Sequence, residues 1–237
     1  MSGDYQPVPL QFERKSAEEM ENISRQLESD LASRRSVRDF SDETFPREWL
    51  DRAIAAASTA PSGAHRQPWH FVVVDDPQIK REIRIAAERE EEISYTGRMP
   101  DEWLEALRPI GTDQHKPYLE TVPYLVILFA ETQGMTEEGD KQKNYYVTES
   151  VGIAAGLFIS AVHRLGLATL THTPSPMKFL RDLLGRPVRE KPFLLFPVGY
   201  PAPGCMVPDL QRKDLEAVRS FNRDGLPSDS REAENES

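Results

Sequence analysis

A chain of 237 residues can bury roughly 70% of its unfolded surface in one core, so a single domain is the default expectation. A formal net charge of −10 and a mean hydropathy of −0.56 favour solubility and argue against nucleic acid or an anionic membrane as a partner. The lone cysteine, Cys205, excludes an intrachain disulfide framework or a cysteine-rich metal site and fits a reducing compartment.

Residues 1–15 read as an extended segment with no apolar stretch long enough for a signal peptide or membrane span, so a cytoplasmic location is expected. Ser16-Ala17-Glu18-Glu19 carries the capping-box pattern and predicts a helix to about Ala32. Pro46 predicts the first turn of a second helix, with Trp49, Leu50, Ala53, Ile54 and Ala57 at helical spacing. Phe71–Val74 predicts a buried strand, and Pro77 the start of a charged helix through about Tyr95. The 96–118 stretch shows turn-formers and no firm period, as expected of a surface excursion or lid. Tyr124–Ala130 predicts a strand, 142–164 the most apolar helix, Leu167–Thr171 and Phe193–Val198 two more strands, and 177–184 a short helix between them. Residues 202–221 read as an extended arm, and 222–237 as a disordered acidic tail. The expected class is α+β, an α/β sandwich, over a single domain at 1–221.

Two motifs offer chemistry. Arg34-Arg35-Ser36-Val37-Arg38 presents three guanidiniums and a hydroxyl, forked donors suited to a phosphate. The same arginines would serve equally well as a solvated patch closing a helix C-terminus. Pro61-Ser62-Gly63 forms a turn between a helix and a strand that can bring backbone N–H groups close to a planar ligand. Glu91 and Tyr95 stand four residues apart on one predicted helix face, and Lys116 follows the irregular segment. A carboxylate, a phenol and an ammonium match the groups of a free amino acid, although acidic runs are more often solvated helix faces. No Gly-x-Gly-x-x-Gly, phosphate loop, His-Glu-x-x-His or nucleophile elbow occurs, so no metal site and no hydrolase is expected.

Arg34–Arg38, Thr59–His65, Glu90–Ile93 with Tyr95, Leu183–Pro187, Pro197–Pro201 and Val207–Leu210 with Arg212 and Lys213 together resemble the nitroreductase-like flavoprotein superfamily, and within it the iodotyrosine deiodinase family. The likeness runs from about Val8 to Leu215. It implies a central, mostly antiparallel sheet flanked by helices, in an intertwined homodimer with C-terminal arm exchange and one FMN per interface site. It further implies that Arg34, Arg35, Ser36 and Arg38, with Arg212 from the arm, hold the phosphate and flavin edge. Pro61, Ser62, Gly63, Thr171, His172 and Thr173 are implied at the flavin, with Thr173 as the catalytic group near N5. Glu91, Tyr95 and Lys116 are implied to clasp a halotyrosine zwitterion, with the Ala64 backbone N–H on its phenolate. His172 stands where a threonine is expected in animal members. The implied reaction is reductive dehalogenation of iodo-, bromo- or chlorotyrosine in one-electron steps, fed by an external donor such as an NAD(P)H-dependent reductase. Two alternatives stay open: a general NAD(P)H-dependent nitroreductase or quinone reductase, and a non-catalytic FMN or halotyrosine binding protein.

Overall fold

The computed structural model describes residues 5–136 and 138–222; of the predicted acidic tail, 222–237, all but Asn222 lies outside the described residues. Four strands form one sheet in the order β1-β2-β6-β5: β1 (Trp69–Val74), β2 (Tyr124–Glu131), β6 (Glu190–Gly199) and β5 (Ala168–Thr169). Every pairing within it is antiparallel, as expected. The central strand β2 is apolar on both sides, and its two-residue period splits the core. Leu125, Ile127 and Phe129 join Ile83, Ala87, Leu119 and Leu180 on one face, beneath α3 (Pro77–Ile93), α5 (Tyr118–Thr121) and α7 (Lys178–Leu183). Val126, Leu128 and Ala130 join Leu50, Ala53, Val151 and Phe158 on the other, beneath α2 (Arg47–Ala57) and α6 (Val147–Arg164). The result is a helix–sheet–helix sandwich.

Local signals place the first elements. Ser16 caps α1 (Ala17–Ser33) through a complete capping box, and Asp76 caps α3 ahead of Pro77. The chain leaving α1 is sewn to the sheet edge: Ser36 bridges Thr169 in parallel, Val37 N–H donates to the Thr169 carbonyl, and Ser41 N–H donates to the Tyr200 carbonyl. Val37 and Phe40 are buried anchors, so the arginines between and around them are held at the edge of the sheet.

Three expectations change. The helix predicted from 142 begins at Val147, because β4 (Lys141–Lys143) pairs with β3 (Gln133–Met135) as a small hairpin and Tyr145 bridges Gly63. Tertiary pairing there outweighs helical propensity. The strand predicted over Leu167–Thr171 is regular only at Ala168–Thr169, and pairing resumes as a single bridge between His172 and Leu195. The 96–118 excursion is more ordered than its composition implied: a π-turn (Ser94–Arg98) closes α3 early, and α4 (Asp101–Leu107) follows. No helix among the described residues is long and apolar enough to cross a membrane.

Candidate active site

Two cavities share Arg38. The first, about 250 Å³, is lined by Arg34, Arg35, Ser36, Arg38 and, from the arm, Arg212. Arg212 reaches back to the Ala32 and Arg34 carbonyls of its own chain at 2.8 and 2.7 Å, and Arg35 donates to the Pro208 carbonyl. The arm therefore meets the arginine motif within one chain. Among the described residues none of these four guanidiniums has a carboxylate partner, although eleven side-chain or terminal pairs of other residues form elsewhere, from Lys15–Glu13 to Arg186–Glu190 and Arg219–Glu216, besides Lys116–Glu91. Burial, then the neighbouring Arg212 and Arg35, push Arg34 below the usual guanidinium range. Converging guanidiniums with forked donors suit a phosphate or another anion.

The second cavity, about 150 Å³, gathers Glu91, Tyr95 and Lys116 with Arg38 and the Thr171–Thr173 strand end. Glu91 Oε2 lies 3.7 Å from Lys116 Nζ, with the two side chains 12% and 3% exposed. Burial pushes the Glu91 carboxyl up and the Lys116 ammonium down; each partner opposes the other's shift without cancelling it. The pair is thus held together against desolvation. Lys116 is positioned from several directions: its N–H donates to Glu88 Oε1 at 2.7 Å, and Nζ donates to Thr112 Oγ1 at 3.1 Å and to the Asp113 carbonyl. Tyr95 Oη donates to the Thr112 carbonyl at 3.2 Å, so the excursion closes over the clasp.

At the base of this cavity His172 is 5% exposed, and its Nε2 has no hydrogen-bond partner. Burial, then Lys116 and Arg38, lower its pKa to about 3, so the imidazole is neutral. Its edge meets the Tyr118 ring at 6.2 Å. Tyr118, Thr112, Met99 and Trp103 also line the cavity and were not predicted; only the apolar or aromatic character of three of them was visible in sequence.

The remaining predicted residues lie elsewhere. Pro61, Ser62, Gly63 and Ala64 line neither cavity. They form a tight loop before β1, where Ala64, His65 and Gln67 have φ of 49°, 54° and 48°. These non-glycine residues in the left-handed region mark a strained, over-determined backbone. Ser62 Oγ accepts from the Gln67 N–H at 2.9 Å, and Gly63 packs so closely on the segment before α6 that a Cβ would stand 2.7 Å from the Tyr145 carbonyl oxygen. The largest cavity, about 310 Å³, opens behind Arg34 and Arg35 toward Ile159 and His163 and contains none of the clasp residues. Size does not identify the site here; the charge arrangement does.

The chain as a whole is similar to known proteins. The nitroreductase family model matches residues 31–200. An iodotyrosine deiodinase of Haliscomenobacter hydrossis is 57% identical over 211 residues, covering 89% of this chain and 95% of that protein. Human iodotyrosine deiodinase 1 is 44% identical over 214 residues, covering 89% and 73%. A crystal structure of oxidized iodotyrosine deiodinase bound to FMN and 3-iodo-L-tyrosine superposes with a TM-score of 0.70 at 29% identity, over 82% of this chain and all of that one.

Proposed function

Because this chain belongs to the nitroreductase family, and within it to the iodotyrosine deiodinases, we propose that it is an FMN-dependent reductive dehalogenase of halotyrosines. The observation that carries this reading is one cavity edge where an acid–phenol–ammonium set faces Thr171–Thr173 beside four guanidiniums that have no carboxylate partner among the described residues. That donor set fits FMN: Arg34, Arg35, Ser36 and Arg212 take its phosphate, Arg38 its flavin edge, and Thr171, His172 and Thr173 line the ring. When bound and reduced, FMN supplies the electrons that cleave the aryl carbon–halogen bond, two electrons and one proton giving tyrosine and halide. Thr173 is the catalytic residue, its hydroxyl offered to the redox-active edge.

Glu91 takes the substrate α-ammonium, and Lys116 with Tyr95 takes the α-carboxylate. The zwitterion exchanges places with the internal Glu91–Lys116 pair, so each buried charge keeps an opposite partner throughout. The excursion above them excludes water from the reacting centre. Pro61, Ser62, Gly63 and Ala64 act across a homodimer, closing over the partner's flavin, with the Ala64 N–H donating a hydrogen bond to the substrate phenolate. Support for a dimer comes from apolar surface that one chain leaves uncovered: Met20, Ile23 and Leu27 on α1, and Ile153 and Leu157 on α6, are each at least 37% exposed. Arm exchange in that dimer would hand the Arg212 contacts with the Ala32 and Arg34 carbonyls, made here within one chain, to the partner subunit. Residues 1–221 form the single FMN domain, the protein works in the cytoplasm, and an external NAD(P)H-dependent reductase supplies the electrons.

The direct test is to load the protein with FMN, reduce it without oxygen and add 3-iodotyrosine, following tyrosine and iodide. Stoichiometric release of both is expected. Binding without release would point to a non-catalytic binder, and no binding to a general nitroreductase.

A further inference from the structure

The segment that closes the clasp has almost no apolar anchorage. Across the π-turn Ser94–Arg98, α4 and the short turn Arg108–Ile110, only Ser94 is buried. A surface segment without buried apolar contacts takes its position from polar tethers and opens at little free-energy cost. At its far end the tether is Tyr95 on the Thr112 carbonyl. At its near end it is Arg98, whose Nη1 donates both to Glu90 Oε2 at 2.8 Å and to the Ser175 carbonyl at 3.0 Å. Ser94 Oγ points to the same carbonyl at 3.5 Å. Ser175 lies two residues beyond Thr173, and a cavity of about 120 Å³ between the two segments is lined by Glu91, Ser94, Arg98, Trp103 and Thr173.

We propose that Arg98 is a positioning residue for the dehalogenation. It ties the segment carrying Glu91 and Tyr95 to the loop carrying Thr173, and so sets the distance between the zwitterion clasp and the reducing centre. The inference rests on the clasp assignment above. Arg98 lines neither the guanidinium cavity nor the clasp cavity; it acts through Glu90, which it neutralises at the end of α3, and through the Ser175 carbonyl. A planar guanidinium can serve both acceptors at once, whereas a lysine ammonium in its place keeps the charge without the fixed fork. Glu88 is engaged by Arg84 and the Lys116 N–H, and Glu90 by Arg98. Glu91 is therefore the carboxylate of this acidic run that stays turned toward Lys116.

The test uses FMN-loaded protein carrying Arg98→Ala or Arg98→Lys. The readouts are the dissociation constant of 3-iodotyrosine from flavin absorbance, steady-state KM and kcat, FMN affinity, and hydrogen exchange over 94–116. Arg98→Ala is expected to raise the halotyrosine dissociation constant and KM roughly tenfold, the size of one charge-assisted hydrogen bond. It should speed exchange across 94–110 and leave FMN affinity unchanged, with Arg98→Lys falling between it and the parent. The side chain is 46% exposed, so the substitution is compatible with folding. A parent protein that fails to bind 3-iodotyrosine would sink the clasp assignment itself. A parent that binds, with Arg98→Ala binding equally well and exchanging no faster, would overturn the role of Arg98 alone. Equal loss of FMN and halotyrosine affinity would also overturn it, since that marks general damage rather than positioning.

Discussion

The guanidinium cluster and the clasp meet at Arg38 yet treat charge in opposite ways. Arg34, Arg35, Arg38 and Arg212 converge with no carboxylate among the described residues to pair them, whereas Glu91 and Lys116 already hold each other in a buried pocket. The first is pre-organised and incomplete; it gains whenever any suitable anion arrives. The second is complete and strained by burial, and it gains only from a ligand that returns both an ammonium and a carboxylate. On the proposed assignment, retention of cofactor and selection of substrate are separated by electrostatics across two cavities that share Arg38.

The largest expected effect comes from weakening the first region. Charge-assisted hydrogen bonds contribute about 1.5–3 kcal/mol each, so Arg34→Ala with Arg35→Ala should weaken FMN binding by roughly 10²–10⁴-fold. The fluorescence titration of apoprotein with FMN that checks this should also show steep salt dependence in the parent. Retention of normal affinity would mean that these arginines close the end of α1 and nothing more.

The contrast also explains what could be read from sequence. The anion motif is contiguous, since Val37 and Phe40 anchor one short segment at the sheet edge, and only Arg212 comes from far along the chain. Glu91 and Tyr95 were legible as an i, i+4 pair, and they share the cavity even though a π-turn replaces the last α-helical turn between them. The hold of Glu88 and Thr112 on Lys116 was not legible, because it depends on how the excursion folds back. The start of α6 was misplaced for the same reason: the 133–143 hairpin and the Gly63–Tyr145 bridge are long-range pairings that local propensity does not encode. The strained loop at 63–67 shows only as Pro-Ser-Gly in sequence, whereas its left-handed residues are not glycine.

A second, intermediate effect probes the clasp. Removing one member of a buried charge pair costs about 2–5 kcal/mol, so Glu91→Gln should weaken halotyrosine binding by roughly 30- to several-thousand-fold and leave FMN affinity intact. A general nitroreductase would lose little. The pH profile sharpens the point. If these two residues clasp the zwitterion as proposed, binding needs Glu91 ionised and Lys116 protonated; burial raises the pKa of the first and lowers that of the second. Affinity should therefore fall on the acid side sooner than an ordinary carboxylate would dictate, and on the alkaline side sooner than an ordinary lysine would. In Glu91→Gln the acid limb should vanish and the alkaline limb remain.

The smallest effect concerns stability and runs in the opposite direction from function. A carboxyl whose folded pKa lies above its unfolded value stabilises the fold when protonated and loses that contribution as pH rises through the folded pKa. An ammonium with a depressed folded pKa stabilises the fold only once it is deprotonated, above its unfolded value. Wherever both are charged, Glu91 and Lys116 are on the unfavourable side of these shifts, and their mutual attraction offsets only part of the desolvation. Replacing a buried ion pair with neutral groups of similar volume is often neutral or stabilising by about 1–4 kcal/mol. For a chain of this size each kcal/mol moves Tm by about 2–4 °C. Glu91→Gln with Lys116→Met, measured by calorimetry on FMN-loaded protein without substrate, should therefore melt a few degrees higher while binding no halotyrosine. A lower Tm would mean that the pair is net stabilising, and that substrate must break a favourable contact rather than relieve a strained one. The clasp would then resist its own ligand, and the electrostatic separation between the two halves of the site would fail.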